Sequence, residues 1–448
     1  MKLFKYFVLL FTTSLAFSQT TIDSLTIKKL KLEIKEELLK ELQNKKNEEE
    51  VNSKKELDKF SLHGYAAVNY YNYNYDTDPT LKNKIDAERL NIYPEYQYKD
   101  WIAFRSEIEF EHGGTGAAVD YDTQEEFGEF EQEIEKGGSI KLEQIYADFQ
   151  IKPYFNVKVG RLKVLFNLAQ SLDDPDEYFT THRQEMENAL TPLGWYENGI
   201  GIYGTFAKKF NYYFTFTNGL DSSGFNSSGW IKNGHQEKFE MVTAESFATM
   251  LRLDYKFGKH KHTYAGMSAY IGDSSANRPK EDMKESAYVT IFEGHFTYNE
   301  FPLRVYSTGI YGNLENSNIV SQKNANLSNN LGVKRTPVGK NAVGFTTEIG
   351  YEVLHHFSNL KHHMLYPFLR YDYYDSMYDV EGSIVDNPRW QRSAITGGIN
   401  WFIAQEVTIK AQYTNRRLGS QNYDLNTLLY TGKKQIENTF SIGIGFEF

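Results

Sequence analysis

The sequence predicts an all-β chain: a transmembrane antiparallel β-barrel of about sixteen strands, preceded by a short N-terminal helix. Three observations predict it. Hydropathy alternates with period two from about residue 60 to the last residue. Short and long connections alternate along the same stretch. Tyr (33) and Phe (31) are abundant in a chain whose mean hydropathy is only −0.57. In a barrel strand only every second residue meets lipid, and aromatic residues gather at both interfaces, so a polar average and a high aromatic content belong together. No segment after the N-terminus approaches the roughly 20 apolar residues that a transmembrane helix needs. A formal charge of −10 argues against nucleic acid as a partner. With no cysteine, the chain has no disulfide, thiolate metal site or lipid-modified cysteine.

The first element is a cleaved secretory signal over residues 1–18. Lys2 and Lys5 precede an apolar core at 6–17, and the run Ala16-Phe17-Ser18 supplies small residues, Ala16 and Ser18, before Gln19. Residues 19–59 form the second element, rich in Lys, Glu, Leu and Ile. Ile27, Leu30, Ile34, Leu38 and Leu42 recur at helical spacing, and Leu25, Leu32 and Leu39 recur every seven residues. That is an amphipathic helix with about three heptads, at best a marginal coiled coil. On the periplasmic side of a barrel it would serve as an oligomerisation stalk or as a solvated linker.

Residues 60–448 form the third element, the barrel. The last strand shows its pattern best: Phe440, Ile442, Ile444, Phe446 and Phe448 share one face, while Ser441, Gly443, Gly445 and Glu447 share the other. The first face suits lipid and the second a lumen. Counting back from this strand gives strands at, among others, 60–75, 101–113, 139–152, 155–167, 341–354, 362–375 and 437–448. Short turns such as Lys99-Asp100, Pro153-Tyr154 and Lys208-Lys209 alternate with long polar loops such as 114–138 and 220–245. Short periplasmic turns, long external loops and two periplasmic termini are what an outer-membrane barrel of a Gram-negative bacterium requires.

Within the barrel, strand parity sends basic residues to the lumen. Arg105, Arg252, Arg304, Arg370, Arg392 and Lys410 each alternate with apolar neighbours, and Arg416 follows the same logic. Lipid exposure would cost about 2–4 kcal/mol per basic residue at mid-bilayer. Parity slips in 155–166, and a bulge at Gly160 would restore it, placing Lys158, Arg161 and Lys163 inside. Glu95, Glu107, Glu109, Asp148, Asp254 and Asp372 also face inward, so the lining is of mixed charge. The connection 168–197 concentrates Asp173, Asp174, Asp176, Glu177, His182, Arg183, Glu185 and Glu187, with Leu190, Leu193 and Trp195 to pack it down. Folded inward, it would form a charged constriction that sorts solutes. Folded outward, it would be a solvated surface loop.

The run Val159-Gly160-Arg161-Leu162-Lys163-Val164-Leu165-Phe166 resembles the "VGxxKxPF" strand of the phosphate-selective porin O and P family. The layout is similar across 60–448. The resemblance implies a sixteen-stranded homotrimeric porin whose third external loop, here 168–197, folds inward, with small hydrophilic anions, phosphate above all, as solutes. Two features depart from the pattern: Leu165 stands where the family has proline, and the loop around 173–177 is acidic rather than densely basic.

Enzyme-like signals are weak. Gly199-Ile200-Gly201-Ile202-Tyr203-Gly204 fits GxGxxG, but a strand pattern follows, with no helix N-terminus to hold a pyrophosphate. His355-His356 and His362-His363 flank one turn; a polar turn is the simpler reading, because no carboxylate or cysteine spacing accompanies them. No GxSxG or HExxH motif occurs. The expectation is therefore a non-enzymatic porin without cofactor or metal, embedded in outer-membrane lipid, passing small hydrophilic solutes. The alternative is a structural outer-membrane protein tethered to a periplasmic partner through its N-terminal helix.

Overall fold

Strand-forming sequence with one apolar face must bury its other, polar face; among the described residues there are eighteen strands, sixteen of which do so in one barrel. In the computed structural model they are β1 (Phe60–Tyr75), β2 (Lys84–Lys99), β3 (Ile102–Tyr121), β4 (Gln132–Lys152), β5 (Phe155–Lys163), β6 (Tyr196–Phe206), β7 (Phe210–Asn218), β8 (Phe247–Lys256) and β9 (Tyr264–Asp273). They continue with β10 (Tyr288–Glu300), β11 (Leu303–Leu314), β12 (Asn341–Tyr351), β13 (Met364–Asp379), β14 (Gln391–Ala404), β15 (Val407–Leu418), β16 (Asn422–Asp424), β17 (Leu429–Thr431) and β18 (Gln435–Glu447). The structure describes residues 59–448 apart from 122–131, 193, 237–240, 261, 328–334, 358–362, 421 and 425–428, together with some positions between 29 and 43. Sixteen strands form one closed antiparallel barrel, with β16 and β17 as a separate hairpin in the last long connection. Closure comes from β18, which pairs with β15 on one side and β1 on the other, through Val68↔Ile444 and Tyr71↔Ser441. A ring without edges satisfies every ladder hydrogen bond internally.

The barrel is inside-out by the standard of a soluble protein. On β18, Phe440, Ile442, Ile444 and Phe446 are 38–43% exposed, while Ser441 between them is fully buried. On β13, Leu369 and Tyr371 are exposed, and Arg370 and Asp372 are buried. Exposed large apolar side chains recur around the whole ring, among them Trp101, Phe216, Leu251, Phe292, Phe345 and Ile399. No helix among the described residues is long and apolar enough to cross a membrane.

Several boundaries differ from the sequence reading. β3 and β4 continue past the expected loop at 114–138, because the ladder resumes at Gly116↔Gly137 after a register shift and runs to Tyr121↔Gln132. The glycine- and glutamate-rich composition that reads as loop is here a long hairpin. β5 ends at Lys163, β12 ends at Tyr351, and β13 extends to Asp379. The expected bulge at Gly160 is not present: the β4–β5 register passes unbroken through Tyr146↔Gly160 and Ile145↔Arg161. Instead, Gly160 takes φ +143°, where a Cβ would collide with the carbonyl oxygen of Ile145. A twist at glycine does what an extra residue would have done.

The chain divides into two compact units, Met1–Phe60 and Ser61–Phe448. In the first, residues 35–41 are helical and exposed. The signal segment at 1–18 and most of the heptad positions lie outside the described residues.

Gly160→Ala is expected to destabilise the barrel by about 1–3 kcal/mol from backbone strain alone, and by more from the collision. Thermal unfolding followed by the mobility shift between folded and unfolded bands checks this against Gly201→Ala, at a position of ordinary backbone.

Candidate functional site

β5 hands the chain directly into the longest acidic connection, which rejoins the wall at β6. Along the way it is bonded to strands from both sides of the ring. Its first anchor is Asp173, whose carboxylate meets Arg89 of β2 at 2.8 Å, Lys163 at the end of β5 at 2.6 Å and Arg183 at 2.8 Å. Arg89 also donates to the Asp173 carbonyl at 2.7 Å and to the Tyr178 hydroxyl at 3.0 Å. Arg183 lies 3.7 Å from Glu109 on β3. The second anchor is on the far wall. Lys410 of β15 donates to the carbonyls of Tyr178 and Thr180 at 2.7 and 2.8 Å, and Arg370 of β13 donates to the Thr180 hydroxyl at 3.2 Å. Thr181 bonds Gln412 through its amide and Ser441 through its hydroxyl.

The third anchor is α1 (Glu185–Leu190). Arg416 of β15 grips Glu185 with two nitrogens, and the Tyr374 hydroxyl donates to it at 2.7 Å. Glu187 accepts the amides of Leu168 and Ala169 at 3.1 and 2.8 Å, tying the two ends of the segment together. Apolar packing completes the attachment: Leu190 and Trp195 are fully buried, and Phe179 fills a place on β12 where a Cβ on Gly350 would collide. Leu193 lies outside the described residues.

The remaining basic residues each have a partner of a different kind. Arg252 holds Asp254 and the carbonyl of Asn167, and Arg304 reaches the carbonyl of Asp176. Arg105 bridges Glu95 and Asp148. Arg161 donates to the carbonyl of Glu143, and Lys158 sits over the rings of Tyr146 and Tyr203. Arg392 lies over Trp390 at 4.8 Å and Tyr374 at 5.5 Å. Much of the basic set therefore holds backbone or rings rather than carboxylates.

Sequence reading missed a second buried segment, 219–236, which connects β7 to β8. Phe225, Trp230 and Ile231 are fully buried; the Trp230 indole donates to the carbonyl of Gly339 and presses on Gly312 of β11, where no Cβ would fit. α2 (Ser317–Ala325) packs beside it, with Asn324 donating to the carbonyls of Ser222 and Phe225. These segments form an apolar core against β8–β13 that includes Met186, Leu190, Trp195, Ile291 and Val320. The signal for it was present: aromatic residues inside a glycine- and serine-rich connection.

Two cavities lie beside the segment 164–195 among the described residues. One, of about 1410 Å³, lies toward the long loops and includes Arg89, Glu109, Arg183, Glu185, Arg392 and Arg416 in its lining. The other, of about 490 Å³, lies toward the short turns and both ends of the barrel chain, with Lys158, Lys163, Asp173, Asp174, Glu177 and Glu447 in its lining. The Asp173 cluster stands between them. Burial would raise the Asp173 carboxyl, but the Lys163 and Arg89 charges hold it below the usual range. Burial, reinforced by Asp173 and Asp176, pushes Asp174 up to about 6. Burial, with Glu293 nearby, pushes Glu187 up to about 8. Burial opposes ionisation of Glu185, but Arg416 keeps it well below the carboxylate range. Burial holds the His182 imidazole low.

The GxGxxG run lies within β6 and turns directly into β7, so no helix follows the glycines. His355 and His356 sit in a 3-10 turn, where Glu352 accepts from the His355 amide; His362 lies outside the described residues.

No family model matches the chain. An uncharacterized protein of Aquifex aeolicus (strain VF5) is 27% identical over 358 residues, which is 79% of this chain and 74% of that one. Among solved structures, the anion-selective porin from Comamonas acidovorans is similar at TM-score 0.49 and 10% identity, covering 87% of this chain and 99% of its own. OmpF of Salmonella typhi is similar at TM-score 0.49 and 12% identity, and the outer membrane channel DcaP of Acinetobacter baumannii at 0.48 and 10%; each match covers 87% of this chain and 97% of the other. The barrel here stands on its own ladder, and these likenesses carry nothing about its solute.

Asp173→Ala would leave three cations around an empty place. The expected cost is about 3–5 kcal/mol, as for breaking a buried ion pair from one side. A lowered temperature of the folded-to-unfolded band shift is the readout, with Asp176→Ala as the comparison expected to change little.

Proposed function

We propose that this protein is an outer-membrane channel for small hydrophilic solutes, narrowed where the segment 164–195 crosses between the walls. The observation that carries the reading is the pair of cavities on either side of that segment, enclosed by a barrel whose exposed face is apolar and whose inner face is polar. An eight-stranded barrel fills its interior with side chains; sixteen strands leave room for an aqueous path. The packed core against β8–β13 shifts that path to the side of β2–β5 and β13–β18, whose residues line the larger cavity.

In this reading Arg89, Lys163, Arg183 and Asp173 form the constriction. A solute passes by exchanging water for contacts with these groups, and Asp174, Asp176, Glu177, His182, Glu185 and Glu187 set the local charge or hold the segment in place. Arg252, Arg304, Arg370 and Lys410 act as its fasteners. The resemblance of residues 159–166 to the phosphate-selective porins supports an anion as solute and a homotrimer as the assembly. Residues 1–18 are then the export signal, and 19–59 a periplasmic segment.

Purified protein added to a planar lipid bilayer is expected to give discrete current steps; a silent membrane at saturating protein would refute the channel. Selectivity should also depend on pH, with a sign fixed by Asp174. Its carboxyl is charged above about 6 and neutral below. Lowering the pH from 7 to 5 should therefore shift the reversal potential in a salt gradient toward anions, and Asp174→Asn should remove most of that shift.

A further inference from the structure

We infer that the lumen conducts ions asymmetrically, because its two vestibules carry opposite net charge in series. The inference rests on the channel reading above. The larger cavity is lined by eight basic and six acidic side chains, and the smaller by four acidic side chains and two lysines.

Pairing sharpens the contrast. In the larger cavity the carboxylates are mostly engaged: Glu185 and Glu437 by Arg416, and Glu111 by Lys141 at 2.8 Å. Lys232, Arg389 and Arg392 make no ion pair among the described residues, and the Arg392 Nε is buried without a hydrogen-bond partner. Trp390 lies between the two arginines, 5.6 Å from one and 4.8 Å from the other. Asp375 is the nearby carboxylate on β13, but it accepts the Met377 amide and does not line the cavity. In the smaller cavity the reverse holds. Lys163 is consumed by Asp173, and Lys158 rests on tyrosine rings. Asp174 makes no ion pair among the described residues, and the Glu447 carboxyl is hydrogen-bonded to that of Asp176.

A positively lined vestibule joined to a negatively lined one concentrates anions at one end and cations at the other. When the short-turn side is held positive, anions enter from the long-loop end and cations from the short-turn end. Both are driven toward the junction at Asp173, and current is high. With the opposite sign both are drawn out, the junction is depleted, and current is low. The effect needs a Debye length comparable to the vestibules: about 30 Å at 0.01 M salt and about 3 Å at 1 M.

The test is the current–voltage curve of the full-length protein in a planar bilayer, in symmetric potassium chloride. The chain has no cysteine, so Asp100→Cys in the β2–β3 turn, reacted from one chamber with a membrane-impermeant maleimide, fixes the orientation. Expected is a current ratio of about twofold or more at equal opposite voltages in 10 mM salt, larger with the short-turn side positive, falling toward one at 1 M. The double variant R389Q/R392Q and, separately, D174N should each bring the low-salt ratio toward one while current steps persist. Steps with a symmetric curve at 10 mM, a ratio of the opposite sign, or variants that keep the wild-type ratio would overturn the inference and leave the channel standing. Absence of any step would overturn both.

Discussion

A backbone amide or carbonyl facing hydrocarbon must be satisfied by another backbone group, since no water is there to do it. This one requirement organises the molecule. The outer face of the ladder is apolar on nearly every strand, so no edge can be left open, and β18 has to meet β1. The terminal residue joins the same arrangement: the amide of Phe448 donates to Gly64 and its carbonyl accepts from Gly64 in return. Once the ring is closed, every second side chain is committed to the interior, where charges must find partners or water.

The interior follows from that commitment. A ring of sixteen strands is too wide for its own side chains to fill, and the chain packs loops into part of it. The segment 164–195 is held largely by wall side chains bonding its backbone, as Lys410 does to Tyr178 and Thr180 and Arg252 does to Asn167. Such contacts fix position without needing a matching loop side chain. Among the charged attachments, which include Glu185 with Arg416, Asp173 among three cations is where a single carboxylate decides the balance of a low-dielectric site, and where removal would leave charges uncompensated. Packing of Trp230, Phe225 and Ile231 against β8–β13 makes that side apolar.

What could be read from the sequence was whatever is local. Period-two alternation is a property of neighbouring residues, so β1, β18 and most strands between them were legible, as was the identity of the final lipid-facing set. The β3–β4 extension was not, because Gly113, Gly114 and Gly138 look like loop residues when their partners across the ladder are unknown; the last lies opposite the first two only once the hairpin has formed. Gly160 illustrates a subtler limit: the slip in parity was visible, but whether an inserted residue or a left-handed glycine resolves it depends on the register of β4. Within the candidate site, the charges of 173–187 stood out, whereas their partners did not. Arg89 is 84 residues from Asp173, and Arg416 is 231 from Glu185. Nothing in the sequence singles out Arg89 from other basic residues, or Lys232 and Arg389 as cations left over after pairing.

The arrangement of faces is the claim on which the rest stands, and spin labelling along β18 in lipid vesicles tests it most directly. Single cysteines placed in turn from 439 to 446, in a chain that has none of its own, would each report collision with dissolved oxygen. The account predicts high oxygen accessibility at 440, 442, 444 and 446 and low accessibility at the positions between. Uniform values, or greater access for a water-soluble reagent at the even positions, would contradict it.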